Sequence, residues 1–229
     1  MRHFKRYFIA VVTLFCILFF SGWQLSSLAV SPGIMLQMLD RHAEAGLTEH
    51  HAHIAVMTTD YLSGKADTFQ LEVPEGDQKV PVFHENEQAH MEDVKGLVAL
   101  GQSLRWAMMG CLVLFGIIFI FNKYGKHFIA PRDVEVGAAT GVFLFYGLLI
   151  AVAIWSILDF TGAFHAFHHV FFRNDLWLLD PKKDRLIQLM PEPFFVDYAL
   201  QFVKRNLAFY ASILLAALYF AFGKTKESR

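Results

Sequence analysis

Two apolar runs, residues 7–30 and 136–158, are each long enough as helices to cross a bilayer core, which takes roughly 20 helical residues. A chain carrying both is a membrane protein. Two shorter runs, 106–121 and 207–222, complete a set of four. Residues 94–104 are also largely apolar and lengthen the first of these into one helix, with Arg105 snorkelling toward the outer headgroups. The last run is bracketed by Lys204 and Arg205 ahead and by Lys224, Lys226 and Arg229 behind, as anchored span ends are. Composition agrees with this reading, because 55% hydrophobic residues and 24 Phe in 229 exceed what a soluble domain of this length carries. The expected fold class is an all-α membrane protein, a four-transmembrane-helix bundle with a small extracytoplasmic cap.

Orientation follows from the short basic segments, since Lys and Arg are retained on the cytoplasmic side. Arg2, Lys5 and Arg6 precede the first span, Lys123, Lys126 and Arg132 lie between the second and third, and the tail is basic. Both termini are therefore expected in the cytoplasm of a multi-pass cell-membrane protein. The expected division is a first span over 1–30, an outer cap and juxtamembrane helix over 31–103, a second span over 104–122 and a cytoplasmic loop over 123–135. A third span over 136–158, an outer loop over 159–206 and a fourth span with its tail over 207–229 follow. Lys182, Lys183 and Arg185 in the second outer segment depart from the rule. Residues 1–30 also have the shape of a signal peptide, with Ser26, Ser27 and Ala29 near a cleavage position. The expectation is that they stay attached. Within the first outer segment, residues 34–45 read as helix and 67–83 as a hairpin. There Phe69, Leu71 and Val73 alternate with polar residues, and Pro74 to Asp77 make the turn.

A formal net charge of −1 gives no electrostatic footprint for nucleic acid. Cys16 and Cys111 fall inside apolar runs, which implies no disulfide framework and disfavours a thiolate nucleophile.

Of eleven histidines, only His3 and His127 fall on the expected cytoplasmic side; His42, His50, His51, His53, His84, His90, His165, His168 and His169 fall outside. Imidazole is the side chain suited to proton transfer near neutral pH. In the stretch from Phe83 to Lys95, Glu87 precedes His90 by three residues, so on a helix the two share a face and the carboxylate could orient the ring. The plain alternative is a solvated, charged juxtamembrane helix. In the stretch from Asp159 to Pro181, Phe and His interleave at the end of the third span, and His165 shares a helical face with His168 or His169. Here the alternative is an aromatic belt with incidental histidines. Metal binding by His50, His51 and His53 with His165, His168 and His169 is also conceivable, but HExxH and HxxEH spacings are absent, as is the GxSxG of a serine nucleophile. No metal and no cofactor are expected.

The two blocks, ENEQAHMEDVKGL around His90 and FHAFHHVFFRNDLWLLDPKKDRLIQLMPEPFF, resemble the signature blocks of a bacterial four-pass membrane family that includes a lipoprotein intramolecular transacylase. Asp60-Tyr61-Leu62-Ser63-Gly64 is similar to a minor block of that family. The resemblance implies an acyltransferase of the outer leaflet acting on diacylated bacterial lipoproteins within the membrane lipid. It would move the sn-2 acyl chain of the diacylglyceryl cysteine onto that cysteine's own α-amino group, giving the lyso form. It implies two catalytic histidines, His90 and, in the Phe-His pair, His168, with His169 one register slip away and Glu87 as the orienting carboxylate. Arg173 or Asn174 is a guess for the oxyanion partner, from residue type alone. Two other functions compete: a non-catalytic scaffold or subunit that docks partners on the outer cap, and a membrane lipid hydrolase.

Overall fold

The computed structural model describes residues 2–43, 48–75, 78–124 and 129–222. The hairpin tip at Gly76 and Asp77, the loop residues Lys126 and His127, and the basic tail lie outside the described residues. The chain is almost entirely helical: α1 (Arg2–Ala29), α2 (Pro32–His42), a short 3-10 turn (Thr48–His50), α3 (His51–Leu62), then strands β1 (Glu72–Glu75) and β2 (Gln78–Pro81). Next come α4 (Glu85–Tyr124), α5 (Pro131–Leu158), α6 (Phe160–Phe171), α7 (Arg185–Leu189) and α8 (Glu192–Phe222). Three helices among the described residues are long and apolar enough to cross a membrane: His3–Ala29, Glu85–Ile118 and Pro131–Leu158. A helix of 40 residues such as α4 extends about 60 Å, twice the hydrocarbon thickness. The polar first turns, from Glu85 to Lys95, and the apolar residues that follow them belong to one continuous helix.

Contacts divide the chain into two compact units, one of residues 1–23, 103–155 and 204–229, the other of residues 24–102 and 156–203. The first unit holds apolar helix segments packed through small residues. Gly137 and Gly141 lie against α1 so closely that a Cβ on either would meet the backbone oxygen of Arg6 at 2.8 Å or of Ala10 at 2.5 Å. Two glycines one turn apart thus let α5 approach α1 backbone to backbone, as small residues do between membrane helices. The buried Asp133 near the start of α5 is paired with Arg6 of α1. Tyr146 donates to the Tyr210 carbonyl at 2.6 Å, and the Tyr210 hydroxyl pairs with Ser21 at 2.8 Å.

The second unit has a single apolar core, built from α2, α3, the hairpin, the first turns of α4, and α7 with the start of α8. Met38, Leu39, Ile54, Phe69, Phe83, Met91, Leu189 and Phe194 are among its buried members. The hairpin is antiparallel, with Glu72 opposite Pro81 and Val73 opposite Val80. Leu71 and Val82 flank it on the core side, and the rings of Phe69 and Phe83 pack tilted, with centroids 4.6 Å apart. Helix α3 was not read from the sequence. It carries no periodic apolar stripe that stands out, since its buried face mixes Ile54, Ala55 and Tyr61 with His51, Thr58 and Thr59. Asp197 of α8 accepts from Arg41 at 2.9 Å and pairs with His42 at 3.2 Å, tying the end of α2 to this core.

Candidate active site

The second unit brings His90 of α4 and His168 of α6 together, with ring centroids 6.0 Å apart. Both are buried. The helical spacing places them. His90 follows the start of α4 by little more than one turn, and α6 begins at Asp159, whose side chain accepts the Gly162 N–H at 2.8 Å as an N-cap. A side chain at position 162 would collide with that carboxylate, which is why a glycine stands there.

The walls around the pair are aromatic. His168 stacks on Trp177 at 4.7 Å and touches Phe164 at 4.2 Å, while Phe172 lies 5.3 Å from His90 and 5.5 Å from His168. His168 Nδ1 lies 2.7 Å from the Phe164 carbonyl oxygen. A carbonyl can only accept, so Nδ1 carries the proton and Nε2 of the neutral ring keeps its lone pair. Burial pushes the His168 imidazolium below its ordinary pKa; the Phe164 carbonyl works against that shift, and His165 and His169 add to it. The ring is therefore neutral at pH 7. His90 Nδ1 is buried and has no hydrogen-bond partner among the described residues.

Glu87 does something other than the spacing suggested. Its Oε2 accepts the His84 N–H at 2.7 Å and its Oε1 accepts the Leu186 N–H at 2.6 Å. The expected bond to His90 is not made. The reason is its place as the third residue of α4, where a carboxylate reaches back to the free amides of the helix start. A second helix, α7, happens to begin at the same point, so one fully buried carboxylate caps two N-termini. Asp184, the residue before α7, makes no side-chain bond to that helix and turns its carboxylate to Asp180 and His84 instead: burial alone would raise its pKa, but the Asp180 N–H, His84 and Asn86 together hold it below the usual carboxylate range. His84, Glu87 and Asp184 offer ligand atoms within 4.8 Å of one another, yet every carboxylate oxygen there already accepts a hydrogen bond from the chain. It is a knot holding α4 to α7.

The remaining sequence candidates separate cleanly. His169 is exposed and meets only the edge of Trp177, with centroids 5.2 Å apart. Asn174 donates to Asp93 at 2.8 Å, so its amide is committed to positioning the loop after α6, and Arg173 is exposed. His51 pairs with Asp40 at 2.9 Å and His50 with Glu49 at 3.4 Å, in a different part of the unit. Trp177, which lies in the longer sequence block but was not proposed as a site residue, is the ring stacked on His168. No spacing signal could have found it, because it reaches His168 from an irregular loop.

Comparison with known proteins bears on the fold and the family. No curated protein matches significantly. Over its full length the chain is similar to the membrane-integral lipoprotein intramolecular transacylase Lit from Bacillus cereus, with 24% identity, a TM-score of 0.62 and 100% of both chains covered. Structures of the Bacillus cereus protein with one histidine replaced by arginine or by alanine are similar too. Each is 24% identical with a TM-score of 0.60, and each covers 99% of this chain and 96% or 97% of its own. At that identity the likeness carries the fold. The sequence pattern of the lipoprotein intramolecular transacylase family matches residues 7–195, most of the chain, and this chain belongs to that family.

Proposed function

We propose that this protein moves the sn-2 acyl chain of a diacylglyceryl-modified lipoprotein cysteine onto the same cysteine's α-amino group, with His168 as the base and His90 as the acid. The observation that carries the reading is the close approach of two buried imidazoles, 6.0 Å apart, inside an aromatic wall. The family supplies the substrate class. The pair supplies the chemistry.

The substrate amine is mostly protonated at neutral pH and must lose a proton before it attacks the ester carbonyl. His168 is suited to that step, because its Nδ1–H is held by the Phe164 carbonyl and its neutral Nε2 keeps a free lone pair. Attack forms the N–C bond and a tetrahedral oxyanion. Of the two protons the ammonium loses, the first goes to solvent and the second to His168; collapse breaks the bond between the carbonyl carbon and the glycerol oxygen, and that second proton passes from His168 through His90 to the departing oxygen. The products are the amide and a free sn-2 hydroxyl, so the net change is a transfer within one molecule. Since donor and acceptor share one cysteine, proximity supplies much of the acceleration. His168 rather than His169 fits the role, because only the former is buried against the facing imidazole.

For topology, we propose that α8 forms the fourth span, that both termini lie in the cytoplasm and that the pair faces the outer leaflet of the cell membrane. The basic flanks support it. Reporters fused after Pro131 and after the C-terminal residue should stay inside, and one inserted in the hairpin should be exported.

The test of the reaction uses tandem mass spectrometry of a lipoprotein N-terminus from cells with and without this protein. Substrate and product have the same mass, so the readout is the fragment carrying an N-linked acyl chain. It should appear only with the protein present; its absence in both would leave a lipid hydrolase or a docking scaffold as the better account.

A further inference from the structure

The imidazolium that forms on His168 during proton transfer has no carboxylate to meet it. Among the described residues His168 bonds only the Phe164 carbonyl. The Asp93 carboxylate of α4 acts on His90, while the titratable groups near His168 itself are other imidazoles: His165 and His169 on its own helix and His90 from α4. All three would repel the new charge if protonated. What does face the ring is Trp177, stacked on it with centroids 4.7 Å apart and planes 26° apart. The same indole meets His165 at 5.1 Å and His169 at 5.2 Å, edge to face. One buried ring thus contacts every histidine of α6.

Two further features set this residue apart from a filler of the core. Its Nε1–H is buried with no hydrogen-bond partner among the described residues, a cost that a phenyl ring in the same place would avoid. Nothing is gained from the indole's polar edge, so its large π-face is what distinguishes it, and that face is the strongest cation partner among the aromatic side chains. The loop bearing it is also fixed relative to His90. Asn174 donates to Asp93 of α4, one turn past His90, and accepts the Leu176 N–H at 3.2 Å, and the Leu178 N–H bonds the Asp175 carbonyl at 3.0 Å.

We infer that Trp177 is a positioning residue of the transfer site, whose indole face holds the His168 ring and stabilises its imidazolium in place of a carboxylate. The inference rests on the proposed role of His168. It gives Asn174 and Asp93 a part as well, since they hold the loop that brings the indole to the ring.

The test is the pH dependence of single-turnover transfer by the full-length protein in lipid, with a synthetic diacylated lipopeptide as substrate. Trp177→Leu keeps the site apolar and removes the π-face, so burial of His168 is preserved while the cation loses its partner. The plateau rate should fall by roughly three- to thirty-fold, and the acid-side midpoint should move to lower pH by about half a unit to one unit. The substrate amine gives its own break at about pH 8 in every variant, so the midpoint compared is the lower one, below about pH 6.5, which belongs to His168. Trp177→Phe should give a smaller shift in the same direction, and it carries the test if the leucine variant does not accumulate. A slower enzyme with an unmoved or raised midpoint would overturn the inference and leave Trp177 a packing residue. If His168→Ala retains activity, the proposed mechanism itself fails, which is a different outcome from an unmoved midpoint in a protein whose His168→Ala form is dead.

Discussion

The chain has two histidine triplets outside its apolar runs, one at His50, His51 and His53 and the other at His165, His168 and His169. In each, one ring is buried and fixed through Nδ1: His51 to the Asp40 carboxylate at 2.9 Å, His168 to the Phe164 carbonyl at 2.7 Å. By the usual pattern of an acid–base residue the first pair looks better equipped, since a carboxylate orients the imidazole. Yet His51 is packed into the α3 face with Ile54, Ala55 and Thr58 and meets no second imidazole among the described residues. His168 meets His90. What separates the two is the facing group, because moving a proton off an amine and onto an alkoxide needs a donor and an acceptor on one carbonyl.

Alanine in place of His168 or His90 sharpens that contrast most. Each should lower acyl transfer by about 10²–10⁴-fold in protein that accumulates normally, as read by N-acyl fragment yield per mole of protein. His51→Ala should act on the other axis, lowering the unfolding temperature while leaving transfer by the folded fraction unchanged. A dead but stable His51→Ala protein would invert the assignment.

Glu87→Ala is the next largest effect and belongs to folding. It strands the His84 and Leu186 amides in a buried site, at a cost of about 1–3 kcal/mol each. Thermal unfolding should show the loss, and proteolysis should open the chain near α7 first. If Glu87 acted only by orienting His90, stability would hold and the rate alone would drop.

A smaller effect is the pH dependence of stability. The folded-state pKa of His168 lies below its unfolded value, so its contribution is fully present above the unfolded pKa near 6.5. It is lost as pH falls through the folded value. Wild-type protein should lose stability on acidification more steeply than His168→Phe, measured by unfolding in detergent between about pH 7 and pH 4. Smallest of all, His50→Ala and His53→Ala should change transfer by less than about twofold, as surface substitutions do.

The sequence carried the long helices plainly because apolar length is a one-dimensional property, as residues 7–30 and 136–158 illustrate. It also put His90 and His168 forward, through the rarity of imidazole beside spans and through the resemblance of their two blocks. Their mutual approach was beyond reach, since 78 positions separate them and nothing local sets the crossing of α4 with α6. The role of Glu87 was misread for a related reason. The three-residue spacing to His90 is visible in the sequence, whereas the competing claim comes from the amide of Leu186, far along the chain. Trp177 and α3 illustrate the same limit: an irregular loop and a helix with a mixed buried face have no periodicity to read.

The central claim is that His90 and His168 act as one unit on one carbonyl. Single-turnover transfer by wild type, His90→Ala, His168→Ala and the double variant, each reconstituted in lipid with the same diacylated lipopeptide, tests it directly. Groups that act together are non-additive, so the double variant should be no slower than the worse single one. Multiplicative losses, or either single variant running at the wild-type rate, would contradict the account.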